Sequence, residues 1–234
     1  KVVLAERHNA PVIDMTLIMD AGYAADSLAT PGTARLAIAM LDEGTKKRNS
    51  LEIAERAELL GARIGAGSSL DTSYLSLNSI TSKLPDSMEL FSDVLINPTF
   101  PQEDFDRLKA QSLAGIQQEK TQPAGIAMRL FPQLVYPTGH AYANPFSGSG
   151  SEASIAALTR ADLEKFHKQW LRPDNGTLLV VGDTTLDSIK PLLERYLAAW
   201  KAPSEALPKK NIGAVAQQTK PRVFLVNRTG AEQS

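Results

Sequence analysis

The stretch from Pro31 to Thr45 constrains this chain more than any other. Pro31 and Thr33 occupy positions favoured at helix starts. Leu36, Ala37, Met40 and Leu41 recur at the three-and-four spacing of a buried helical face, and Gly44 is placed to stop the run. The spacing therefore predicts one apolar helix ending near Gly44. A helix that is buried on one side needs a partner surface, so the rest of the chain must supply a sheet or a helical layer to cover it.

The flanking segments supply both. Val2 to Glu6 and Val12 to Met19 are β-rich runs separated by the turn-like Arg7-His8-Asn9-Ala10-Pro11, which predicts a β-hairpin. Ser50 is a plausible N-cap for a helix from Leu51 to Leu60, with Gly61 as its stop. Ala62 to Gly67 and then Tyr74, Leu75, Leu77 and Ile80 read as an antiparallel strand pair. Helices are expected to open at Leu84-Pro85-Asp86-Ser87, at Pro101 (running at least to Gln118) and over Ala124 to Val135. Thr159 and Asp162 form a near capping box for Ala161 to Trp170, Thr177 to Val181 reads as a short strand, and Leu186 to Trp200 as a final amphipathic helix. The fold class is α+β, an antiparallel sheet packed against several helices. By composition, residues 1–202 form one domain, 203–221 with Pro203, Pro208 and paired lysines form a linker, and 222–234 begin the first strand of a truncated second domain.

Bulk properties exclude several functions. The net charge of −1 over 234 residues gives no excess for holding a polyanion, and Lys46-Lys47-Arg48 and Lys209-Lys210 are short clusters of a solvated surface, so no nucleic-acid partner is expected. The absence of cysteine removes disulfides, thiolate zinc sites and cysteine nucleophiles, and leaves the compartment open, the bacterial periplasm included. No apolar run approaches the ~20 residues of a membrane helix. Opening inside a strand at Lys1-Val2-Val3, the sequence reads as a fragment or a processed segment. A helical two-histidine zinc site requires imidazoles one turn apart, and His8, His140 and His167 are nowhere so spaced. His8 reads as a solvated turn residue and His167, among Glu164, Lys165 and Lys168, as exposed. No G-x-S-x-G elbow occurs. Phe146-Ser147-Gly148-Ser149-Gly150-Ser151 lacks the strand and the Gly-Lys of a phosphate cradle, and is read as a flexible connector.

The order of these pieces resembles the insulinase/pitrilysin-like zinc peptidases, including mitochondrial processing peptidase. A hairpin ends in Asp20-Ala21-Gly22, a helix ends in Gly44-Thr45, a second ends in Leu60-Gly61-Ala62, and a strand pair follows. Asn97-Pro98-Thr99-Phe100 then opens a long helix, and Phe166 to Asn175 precedes the strand ending Val181-Gly182-Asp183. The resemblance implies a ferredoxin-like duplicated domain. In that family a helix carries H-x-x-E-H, and alignment on Gly44-Thr45 puts Arg35, Ile38 and Ala39 at its three functional positions. The third zinc ligand, a glutamate of the long helix, falls at Gly115. Glu119, one turn on, is the nearest substitute, and a single carboxylate does not hold zinc.

Such a pattern resembles the non-catalytic half or subunit of the family. The resemblance implies no catalytic residue, metal ligand or cofactor in this chain, with zinc in a catalytic partner half of the same family. The two halves would close a chamber around a peptide substrate. The alternative is a structural or assembly protein of the same fold, like the core proteins of a respiratory complex.

Overall fold

A computed structural model describes residues 1–217 and 219–227. The fold is α+β. Its strands are β1 (Val2–Glu6), β2 (Val12–Met19), β3 (Arg63–Ser68), β4 (Ser73–Ile80) and β5 (Gly176–Gly182). Its helices are α1 (Thr33–Ala39), α2 (Ser50–Leu59), α3 (Leu84–Ile96), α4 (Gln102–Thr121), α5 (Pro123–Val135), α6 (Glu152–Ala157), α7 (Arg160–Trp170) and α8 (Leu186–Tyr196). The five strands form one sheet in the order β1-β5-β2-β4-β3. All neighbours are antiparallel except β1 and β5.

Alternation along the central strands builds the core. Ile13, Met15, Leu17 and Met19 of β2 and Leu75 and Leu77 of β4 are buried, because successive side chains leave a strand on opposite faces. They meet Leu36, Ala37 and Ile38 of α1, Met88, Phe91 and Val94 of α3, and Leu163, Phe166 and Trp170 of α7 in one hydrophobic cluster. The opposite face is more polar, and there Asn78 donates to Asp14 across the β2–β4 pair at 2.6 Å.

Several expectations need correction. β1 and β2 do not form a hairpin: β5 lies between them, with Leu4 opposite Val180 on one side and Met15 opposite Val180 on the other. The Arg7–Pro11 connection spans that inserted strand, and Arg7 N–H donates to Gly182 O at 2.9 Å. The apolar helix stops at Ala39, with Met40 as its C-cap, short of Gly44. Beyond it the polar groups serve tertiary contacts: Thr99 N–H donates to Gly44 O (2.9 Å) and the Thr45 hydroxyl donates to buried Asp93 (2.7 Å). The N-cap of α2 is Asn49, in a reciprocal capping box with Glu52, rather than Ser50. Residues 152–157 form α6, an element the sequence reading lacked. Residues 222–227 adopt no strand, and Val223 and Leu225 are 93% and 95% exposed; the remainder of the expected last strand lies outside the described residues.

Residues 201–213 carry neither helix nor strand, yet they are held against the domain. Arg172 donates to Glu205 O at 2.8 Å, Ala141 N–H donates to Asn211 O at 2.8 Å, and Leu207 packs on the core.

Helix α1 is fixed at its start by a carboxylate of the segment just before it. Asp26, 2% exposed, accepts from Gly32 N–H at 2.7 Å and Ala34 N–H at 2.9 Å. Burial pushes its pKa up to about 7, against the opposing effect of those two hydrogen bonds. The folded state therefore holds a proton that the unfolded chain has lost at intermediate pH. This contribution is fully present below the ordinary carboxylate range and is lost as pH rises towards neutrality. Relative to Asp26→Asn, the native chain is predicted to lose on the order of a few kcal/mol between about pH 4.5 and pH 7.5. Urea unfolding of both proteins at the two pH values checks this, and a constant difference between them would refute it.

Candidate functional site

Helices α1 and α4 and the loop before α6 enclose a cavity of about 220 Å³. Arg35 and Ala39, one turn apart on α1, reach it from one side. Gln111, Ser112, Gly115 and Glu119, at helical spacing on α4, reach it from the other, and Gly148 and Ser149 close it. Three of the four positions to which the family resemblance points, Arg35, Ala39 and Gly115, thus line one cavity. Ile38 does not: it is 1% exposed and belongs to the core cluster.

The floor is a charged network. Glu119 Oε2 accepts from Arg129 Nη1 at 2.7 Å, from Ser149 Oγ at 2.8 Å and from Ser147 Oγ at 3.2 Å. Arg129 also donates to Ser149 Oγ and to Gly150 O, both at 2.7 Å. Arg35 Nη1 donates to Ser147 O at 3.0 Å. Residues 146–151 are therefore a pinned wall, not the flexible connector their composition suggests. Gly148 is required there: its φ is +67°, and a Cβ would lie 2.4 Å from the Tyr23 ring.

The residues present do not fit zinc. A protein site needs at least three nitrogen, sulfur or carboxylate ligands converging on one point. At Arg35, Ala39 and Gly115 the cavity offers a guanidinium, a methyl group and no side chain, and Glu119, the one carboxylate lining it among the described residues, takes three donors on Oε2. Among the described residues, no group of three His, Cys, Asp or Glu side chains could hold a metal ion.

The histidines lie elsewhere. His8 is exposed and its Nδ1 is 2.8 Å from Asp183, whose carboxylate raises its pKa. His140 is buried between Gly213 O and Tyr142 N–H. His167 is a correction: it is not on a solvated face. Its Nε2 donates to Leu95 O at 2.7 Å, its ring meets Phe100 edge-on, and burial lowers its pKa. The charged positions flanking it in sequence do not report its direction, since one helix presents both faces within four residues.

Comparison with known proteins accords with this geometry. Residues 1–141 match the family described as insulinase, peptidase family M16, and residues 157–234 match the family described as peptidase M16 inactive domain. The chain belongs to the insulinase (M16) peptidase family. It is similar to a zinc protease of Mycobacterium tuberculosis (23% identity over 205 residues, covering 87% of this chain and 45% of the relative). It is also similar to the human mitochondrial-processing peptidase subunit beta (24% over 215 residues, covering 88% and 42%). Among solved structures, a peptidase M16 inactive domain from Pseudomonas fluorescens superposes with a TM-score of 0.82 at 33% identity, over 88% of this chain and 50% of that one. A protease from Helicobacter pylori shares the fold, with a TM-score of 0.80 at 20% identity over 90% and 51% of the two chains. The chain thus spans about half the length of these relatives.

If Arg35, Ile38, Ala39 and Gly115 stand where the family's zinc site would be, Arg35→His, Ile38→Glu, Ala39→His and Gly115→Glu together should create one. A Cβ at Gly115 meets nothing within 4 Å, so that change is sterically open. Ile38→Glu buries a carboxylate in the core and should cost several kcal/mol without metal, recovered on adding zinc. Thermal unfolding with and without zinc should show this rise for the quadruple variant and a smaller one when Gly115 is kept. Equal behaviour of the two would refute the alignment.

Proposed function

We propose that this chain is the non-catalytic half of a two-part zinc peptidase of its family. In this reading it forms one wall of a chamber and part of the peptide-binding surface, and a catalytic half supplies the zinc. The observation that carries the reading is the cavity between α1 and α4. Side chains from two helices converge there as a metal site requires, but with a guanidinium at Arg35, a methyl at Ala39 and no side chain at Gly115. The match of residues 157–234 to an inactive domain, and the likeness to a structure described as one, support the same reading. We take residues 1–202 as one domain, 203–221 as a linker and 222–234 as the start of a second; the lack of helix or strand over 201–213 is in keeping with this division.

A wall of this kind acts by orienting a peptide across from the reacting centre, which contributes to rate without touching the chemistry. The chain alone should therefore hydrolyse no peptide, while its addition to a family member with an intact H-x-x-E-H helix, encoded with it, should raise that partner's kcat/KM at least about tenfold. Peptidase assays with and without a chelator check this. Activity of the chain alone that survives chelation would contradict it. Tight association without any effect on rate would favour the assembly-protein alternative.

A further inference from the structure

Arg35 is the unspent charge of the cavity. The residue is exposed, one of its terminal nitrogens donates to Ser147 O, and among the described residues its Nε and Nη2 have no hydrogen-bond partner and no carboxylate pairs with it. That leaves free the edge of the guanidinium that binds carboxylates in bidentate fashion. The other charges nearby cancel. Glu119, the one acid lining the cavity among the described residues, is paired with Arg129, whose side chain is only 11% exposed. The cavity therefore carries a net single positive charge, located at Arg35.

The remaining lining suits a piece of peptide. Among the described residues the Gln111 amide has no hydrogen-bond partner, Ser112 gives its proton to Leu108 O and keeps acceptor capacity, and Leu36 and Leu108 supply apolar surface. At about 220 Å³ the cavity is smaller than the roughly 300–1,000 Å³ pockets of drug-sized ligands, which limits it to one or two residues. One guanidinium edge, with two parallel N–H donors, matches one carboxylate.

We propose that this cavity is a carboxylate subsite, in which Arg35 takes a peptide's terminal carboxylate or an Asp or Glu side chain. The proposal rests on the reading of the chain as a peptide-contacting half and adds the chemistry of what it contacts. The probes are acetylated tetra-alanine as the free acid, the same peptide as its carboxy-terminal amide, and an acetylated, amidated tetrapeptide with one internal Glu. Binding to the chain is followed by calorimetry or by NMR shifts. The free acid or the Glu peptide should bind at least about tenfold more tightly than the plain amide, and whichever of the two does so identifies the source of the carboxylate. Arg35→Gln should abolish the preference and Arg35→Lys should retain part of it, with thermal unfolding unchanged because the side chain is exposed.

Equal binding of acid and amide, failure of all three peptides to bind, or an Arg35→Gln chain that keeps the preference would overturn the subsite. The broader reading is judged separately by wild-type stimulation of the catalytic partner. Stimulation that persists while Arg35→Gln leaves peptide preference untouched would remove this proposal alone. Absence of stimulation by the wild-type chain would remove the reading beneath it.

Discussion

One carboxylate oxygen, Oε2 of Glu119, organises the site. It binds the Arg129 guanidinium and the hydroxyls of Ser147 and Ser149, and Arg129 in turn binds Gly150 O. Three stretches of chain that are distant in sequence, the end of α4, the middle of α5 and the loop 146–151, are thereby held together. Removing either partner would leave a largely buried ion uncompensated, which is far more costly than the pair itself is stabilising. The same bonds commit Oε2 of that carboxylate to three donors, and the loop it holds fixes the carbonyl to which Arg35 is anchored.

The sheet sets where that site can be. β5 lies between β1 and β2, so residues near the two ends of the domain are joined in one ladder, and the buried face of β2 and β4 carries α1 and α3. Helix α1 is short, and its entry is fixed by Asp26 and by Gly32 at φ +101°. Its apolar side, including Ile38, faces the core, while Arg35 and Ala39 face α4 across the cavity. Packing thus uses one face of α1 and the cavity uses another.

Much of this was legible in the residues, and the failures have a common cause. Local signals held: the Thr159/Asp162 capping box starts α7, Gly61 ends α2 at φ +60°, and alternation marks β2 and β4. The strand pairing was not legible, because the partner of β1 lies about 175 residues away and the tight turn suggested a nearer one. Arg35, Ala39 and Gly115, singled out by the family order, line one cavity, but nothing at sequence spacing links Glu119 to Arg129 or to Ser147 and Ser149. A run of serines and glycines reads as slack chain until a buried guanidinium is found to bind it. His167 failed for the same reason, since the carbonyl of Leu95 that it meets belongs to another helix.

The chain has the fold of the M16 peptidase family, and among its described residues no group of three His, Cys, Asp or Glu side chains could hold a metal ion. The metal content of the dialysed chain, measured by plasma mass spectrometry at neutral pH, where histidine and carboxylate ligands would be competent, tests this. Well under about one tenth of a zinc ion per chain is expected, unchanged by His140→Ala or His167→Ala. About one zinc per chain, lost on either substitution, would contradict it.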